Sequence, residues 1–421
     1  MPLTLGNKLF TFYSSCDKIL QRENGGYMYR KTYVEIDVNQ VKKNVKNIIQ
    51  KYNEYKWYIG VVKGNAYGHG MEIAKYIIEA GINYLAVSSL EEAIEVRKYE
   101  KATPILCLEP IDIEDLQVCI SENVSITIHS YEYFEQLLNC ELSGKIKAHL
   151  KLDTGMNRLG IKEAVQVEEI YNKLQDNEKI ELEGIYSHFG TLGIWDKAWD
   201  NQVENFNKLT KNIDLSKIKM VHFARGASII NHKKIENTNG VRLGISMYGY
   251  VNNFSLKANS FRSRLRVKRL LSNNKRLGIS ECIFDDIPDV KPCLALKSKI
   301  LQIKEVKKGQ LIGYGTNHVA QKDMLVATIP VGYADGIDVR NTGRNVEIGG
   351  KLFKIVGTVN MCMISVEVDK TVTVGDIVTV IGGKASAEYI ANYLNTNRYI
   401  VVTTIAKDIP RVYVGGNKNE E

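Results

Sequence analysis

No apolar run in this 421-residue chain approaches the length that a bilayer-crossing helix needs, so no membrane span is expected. The opening residues, MPLTLGNKLFTFYSSCDK, hold only the short run LFTFY with no basic stretch before it, which predicts no secretory leader. The seven cysteines form no CxxC pair and are irregularly spaced. Neither a disulfide framework nor a metal site is expected from them; they read as reduced, mostly buried thiols of a cytoplasmic protein. Low-complexity tracts are missing, and basic residues are not interleaved with aromatics in a nucleic-acid-binding pattern. A formal net charge of +8 is mild for this length; it suits an anionic ligand and does not argue for nucleic acid. What is left, 44% hydrophobic and 25% charged residues, is the composition of an ordinary globular protein with room for two domains.

From residue 30 a beat sets in: a short apolar run, a polar or glycine break, then a helical pattern. In the first helix Val41, Val45, Ile48 and Ile49 share one face, and Asn39 is the expected N-cap. Candidate strands follow at 57–62, 84–87, 105–108, 124–128, 147–152, 182–187, 219–223 and 241–246, with helices between most of them, among them 71–80, 90–99, 130–139 and 162–175. Eight such repeats over 30–255 predict an α/β fold, a (β/α)8 barrel of TIM type; an open doubly wound sheet is the fallback, because periodicity does not show closure. Residues 1–29 read as a poorly ordered extension. Residues 256–291 form a basic connection in which RSRLRVKRLLSNNKR (262–276) is expected to be a solvated loop. From 292 to 421 the chain reads as a mostly β domain, with one helix-like stretch at 386–394 and hairpin chemistry in the glycine pair of VEIGGKLF.

Chemistry concentrates in VVKGNAYGHG (61–70), where a lysine ends a buried strand and a glycine-rich turn follows. A barrel keeps its reactive groups at that end of its strands. A lysine there forms a Schiff base readily if burial or a nearby cation lowers its pKa, and the turn's amides or Tyr67 suit a phosphate. A lysine that merely reaches for solvent at a strand end fits these residues as well.

RKTYVEIDVNQVKKNVKNI (30–48) followed by VVKGNAYGHG closely resembles the opening of alanine racemases. The resemblance implies pyridoxal 5'-phosphate as cofactor, with Lys63 as its covalent lysine and Tyr67 as a phosphate ligand. LKLDTGMNRLG (150–160) resembles the segment whose arginine, here Arg158, lies beside the substrate carboxylate; Lys151 matches a lysine that is carbamylated in some members. GIYSHFGT, VHFARGAS and GVRLGISMYG resemble the segments that give His188 near the ring, His222, Gly226, Arg242, Gly244 and Ile245. Arg242 would face the pyridine nitrogen with His222 behind it. Arginine donates and does not lose its proton, so that nitrogen stays unprotonated, and racemisation is favoured over transamination. GYGTNHVA (313–320) resembles the β-domain segment whose tyrosine, Tyr314, is the second catalytic base and reaches the partner subunit's site, implying a head-to-tail homodimer. Tyr333 and Met361 match residues on the substrate side.

The likeness covers nearly the whole chain, with departures in the pocket. Arg225-Gly226 stands where Asn-Ser is usual, Leu243 where proline is usual, and Thr358 and Val339 where arginines are usual. Lys407 in IAKDIPR replaces a tyrosine that helps choose the substrate side chain, so alanine is the default substrate and serine or another amino acid the alternative. A role in supplying D-alanine for cell-wall peptidoglycan follows from the same resemblance. Three competing readings are a fold-related decarboxylase, a non-catalytic cofactor carrier and a binder using the basic tract. The first lacks its late Cys-Asp pair, the second would lack the β domain, and the third leaves Lys63, Arg242 and Tyr314 unexplained.

Overall fold

The computed structural model describes residues 28–251, 260–284, 286–316 and 318–416. The expected N-terminal extension, Cys16 and the start of the basic connection lie, apart from a few residues, outside them. The described residues divide into two compact units: one holds those of Asp37–Leu294 with Asn397–Thr403 and Tyr413–Gly416, the other Met28–Ile36 with those of Ala295–Thr396 and Thr404–Val412.

The first unit is a closed barrel of eight strands in sequential order: β2 (Trp57–Val61), β3 (Tyr84–Val87), β4 (Ile105–Cys107), β5 (Val124–Ile128), β6 (Ile146–Lys151), β7 (Ile180–Tyr186), β8 (Met220–Arg225) and β9 (Gly240–Leu243). All neighbours are parallel, and β9 returns to β2 with Arg242 opposite Ile59. Parallel strands covered by helices are buried on both sides, which is why they read as unbroken apolar runs rather than alternation. Every residue of β3 and of β5 is buried. Ile59, Val61, Tyr84, Ala86, Leu106 and Met220 form a core cluster, with Tyr67 and Leu108 against it.

The other unit is built on a nine-stranded sheet. It contains β10 (Leu294–Lys299), β11 (Gln302–Val306), β12 (Met324–Ile329), β13 (Asn345–Ile348), β14 (Lys351–Val356), β15 (Ile364–Val368), β16 (Ile377–Ile381) and β17 (Arg411–Val414). Burial alternates along β10 and β15, as in a sheet with one covered face. Gly349 and Gly350, both at positive φ, join β13 to β14; that two-residue turn is the hairpin the glycine pair predicts.

Three expectations need correction. The first helix (Val38–Lys51) is capped by Asp37, whose carboxylate accepts from the Gln40 amide, not by Asn39: the strand ends one residue before the helix begins, leaving Asp37 in extended geometry. The barrel does not begin at residue 30, because β1 (Tyr33–Asp37) joins the nine-stranded sheet between β10 and β17. The basic tract is not a loop but the 17-residue helix Phe261–Leu277, started by a Ser260–Ser263 capping box and ended by Gly278 in the left-handed conformation. Leu270 and Asn274 are its buried residues, so its apolar stripe is too narrow for the period to show. Among the described residues no helix is long and apolar enough to cross a membrane, and no group of metal-ligating side chains is found.

Candidate active site

A cavity of about 410 Å³ opens among the loops that follow the barrel strands; its lining includes Lys63, Arg158, His188, Arg242 and Tyr399. Lys63 follows β2 and begins a turn that no ordinary helix former would adopt. Gly64, Asn65, Ala66, Tyr67 and Gly68 all have positive φ. Each non-glycine residue there costs about 1 kcal/mol of backbone strain, so the turn must be held from outside. Glu92, buried on the next βα unit, accepts from the Gly64 amide at 2.7 Å, and the same carboxylate takes the Ser88 amide and hydroxyl at 2.9 and 2.7 Å. A Cβ at Gly68 would land on the Val402 carbonyl. Burial, then the neighbouring Arg158 guanidinium, lower the Lys63 pKa from the usual lysine value.

The loop after β6 presents Arg158. Asp153 accepts from the Gly155 and Asn157 amides, both at 3.0 Å, and this closes the turn that aims the arginine. Lys151, at the end of β6, is buried with its amine 4.4 Å from the Tyr186 ring centroid. Burial and the charges of Arg242 and Arg158 push its pKa down to about 7.

Arg242 on β9 is buried, and its terminal nitrogens are all engaged. Nη1 donates to His222 Nδ1 at 2.6 Å and to the His222 carbonyl at 3.0 Å. Nη2 donates to the Ser187 carbonyl at 2.6 Å, the Phe223 carbonyl at 3.2 Å and His188 Nδ1 at 3.3 Å. Burial pushes the guanidinium down to about 10, which leaves it charged at neutral pH. Burial and the Arg242 charge hold His188 and His222 well below the usual histidine range, so both are neutral.

Within the cavity a small polar socket lies among Tyr67, Arg225, Gly226, Gly244, Ser246 and Tyr399. Arg225 Nε and Ser246 Oγ are buried there and find no hydrogen-bond partner among the described residues. A Cβ at Gly226 would stand 2.6 Å from Ser246 Oγ, and one at Gly244 would stand 2.6 Å from the Tyr67 hydroxyl. Buried donors with nothing to donate to, around two glycines that keep the space open, fit an anion the size of a phosphate.

Of the residues singled out from the sequence, Lys63, Tyr67, Arg158, His188, Gly226, Arg242, Gly244 and Ile245 meet in this cavity, and His222 stands one hydrogen bond behind it. Tyr314, Tyr333, Met361 and Lys407 belong to the β-rich unit, where all four are exposed. Sequence reading missed Tyr399, Ser246, Tyr186 and Glu92. Tyr399 comes from the short helix Arg398–Thr403, far from any barrel motif, and its ring centroid lies 6.1 Å from that of Tyr67. Ser246 and Tyr186 sat inside quoted motifs, so these two carried a signal; Tyr399 and Glu92 carried none.

The family model for the alanine racemase N-terminal domain matches residues 36–252, and that for the alanine racemase C-terminal domain matches 293–413. The chain belongs to the alanine racemase family. It is 34% identical to alanine racemase 1 of Bacillus subtilis (strain 168) over 393 residues, which is 92% of this chain and 94% of that one. Among solved structures it is similar to alanine racemase from Bacillus anthracis with bound L-Ala-P, with a TM-score of 0.78, 31% identity and coverage of 93% of this chain and 96% of that one. It is also similar to histidine racemase from Leuconostoc mesenteroides, with a TM-score of 0.75, 25% identity and coverage of 94% and 100%. The protein is therefore an amino acid racemase, an isomerase, and its cofactor is pyridoxal 5'-phosphate. The polar socket and the half-buried Lys63 in the same cavity fit that group.

Proposed function

We propose that the enzyme interconverts L- and D-alanine by a two-base mechanism in which Lys63 and the partner subunit's Tyr314 flank the α-carbon. The observation that carries this reading is the convergence in one cavity of a lysine whose pKa burial and Arg158 lower, two arginines and a small polar socket. Bound pyridoxal phosphate supplies the electron-withdrawing ring that acidifies the substrate's α-hydrogen. Lys63 would hold it through Nζ, and Tyr67, Arg225, Ser246, Tyr399 and the amides at Gly226, Gly244 and Ile245 would hold its phosphate. Arg158 offers a planar guanidinium to the substrate carboxylate. Its charge also helps lower the Lys63 pKa, the direction that a proton-accepting Nζ needs. Arg242 and His188 would stand toward the ring, and a guanidinium gives up no proton there.

Inversion needs a second proton donor on the opposite face. Tyr314 is 75% exposed, Met361 57% and Tyr333 45%, an exposure that suits side chains awaiting another copy of the chain. A head-to-tail homodimer, with Met361 and Tyr333 on the substrate side, is part of this reading. So are a cytoplasmic location, which six free cysteines among the described residues support, and a role in supplying D-alanine for the cell wall. Lys407 favours a second reading, a different amino acid as preferred substrate: it is exposed at the position where the resemblance implies a tyrosine, and a similar fold serves a histidine racemase.

The test is a panel of single L-amino acids followed by deuterium uptake at Cα and loss of optical activity. L-alanine is expected to racemise, and Lys63→Ala to abolish both the cofactor absorbance and turnover. If cofactor binds through Lys63 and no amino acid loses its handedness, the reading is wrong; if only another amino acid does, alanine is wrong, and Lys407→Tyr is expected to shift preference back toward it.

A further inference from the structure

Behind Arg242 a line of polar side chains crosses the barrel interior, and the reaction as described makes no use of its far end. His222 on β8 takes the Arg242 Nη1 proton at its Nδ1. Its Nε2 lies 2.9 Å from His149 Nδ1 on β6. His149 Nε2 lies 3.1 Å from Glu183 Oε2 on β7. That oxygen also accepts from Tyr84 at 2.6 Å and Ser125 at 2.8 Å, while Lys219 donates to Oε1 at 2.7 Å. His149, His222 and Glu183 are fully buried. Room for the two rings is made by glycine: a side chain at Gly184 would fall on His149, and a Cβ at Gly240 would stand 2.9 Å from His222 Cβ.

The chemistry allows one direction only. Arg242 has protons and no lone pair, so His222 Nδ1 must be bare and its proton must sit on Nε2. Nε2–H then donates to His149, whose Nδ1 must be bare in turn, and the His149 Nε2–H donates to the carboxylate. We propose that Glu183 is a positioning residue for the racemase: through His149 and His222 it fixes which ring nitrogen carries each proton, so that Arg242 always meets an acceptor. The consequence for turnover rests on the racemase reading of Arg242; the proton arrangement does not. Turning both rings to the other tautomer would set an N–H of His222 against an N–H of Arg242, and the guanidinium would lose that hydrogen bond.

Glu183→Gln makes the proposal testable. The amide has one oxygen where the carboxylate used two, Oε1 for Lys219 and Oε2 for His149, Tyr84 and Ser125; with its nitrogen toward His149 both rings must turn over. Nitrogen-15 spectra of the apo protein, labelled at its seven histidines, report which nitrogen of each ring is protonated. His149 and His222 are expected to be Nε2–H in the wild type; in Glu183→Gln one or both are expected to carry the proton on Nδ1. On loading, kcat is expected to fall ~10-fold or more with KM within ~2-fold, and Glu183→Asp to recover most of the loss. A wild-type Nδ1–H at either ring overturns the proposal without any variant, so a Glu183→Gln protein that fails to fold does not shelter it. Turned rings with an unchanged kcat overturn the positioning role. A chain that racemises nothing yet shows the expected protonation in both proteins keeps the arrangement and removes the racemase reading.

Discussion

Gly226 and Gly244 border the socket because a methyl group has no space there: each Cβ would stand 2.6 Å from a hydroxyl, that of Ser246 or of Tyr67. Gly244→Ala must therefore move Tyr67, and its affinity for pyridoxal phosphate is expected to fall by about tenfold, roughly 1.4 kcal/mol, in a fluorescence titration. An unchanged affinity would remove Tyr67 from the phosphate contacts. Lys151 gives a second prediction. Its folded pKa is about 7 against the ordinary 10.5. Above pH 7 the unfolded chain holds a proton on this amine that the folded chain has released, so the residue makes stability rise with pH until the unfolded lysine also titrates. Lys151→Met is expected to take ~1–3 kcal/mol out of the wild-type gain between pH 7 and pH 9, read by urea unfolding at each pH. Identical pH slopes would mean that the amine stays charged inside the fold.

At the scale of elements the turn Gly64–Gly68 is the decisive piece, since it aims Lys63 into the cavity. Five consecutive positive φ values are unfavourable, and only two of the residues are glycine. The two glycines differ in a measurable way. A Cβ at Gly64 meets nothing within 4 Å, whereas at Gly68 it meets the Val402 carbonyl. Gly64→Ala is expected to cost about 1 kcal/mol, the left-handed penalty alone. Gly68→Ala is expected to cost at least twice that in the same denaturant titration; equal losses would show that Val402 yields freely. The helix Phe261–Leu277 contributes nothing to the cavity lining. Replacing it with a short flexible linker is expected to leave kcat within about twofold, and a larger fall in a turnover assay would give the basic helix a part in the reaction.

For the molecule as a whole, the prediction concerns two copies of the chain. Lys63→Ala and Tyr314→Phe are each expected to be inactive alone. Mixed as equal amounts of unfolded chain and refolded together, they are expected to regain about a quarter of wild-type activity. Half of the dimers are then mixed, and each mixed dimer has one intact site if the two bases come from different subunits. No recovery in the mixture would put both bases in one subunit.

Long buried strands, their order and the lysine at the end of the first barrel strand were legible in the sequence, because burial on both faces writes unbroken apolar runs and a reactive segment keeps its spacing. The narrow-striped basic helix was not, since two buried residues in 17 leave no period to read. Tyr399 was not either, because it reaches the cavity from a distant short helix. The line from Arg242 through His222 and His149 to Glu183 is spread over four strands whose mutual register the sequence does not state. The sequence by itself determined which residues carry charge, donors and turns; only tertiary structure decided which of them lose their water together. Burial makes a lysine give up its proton near pH 7 and makes the order of two histidine protons matter.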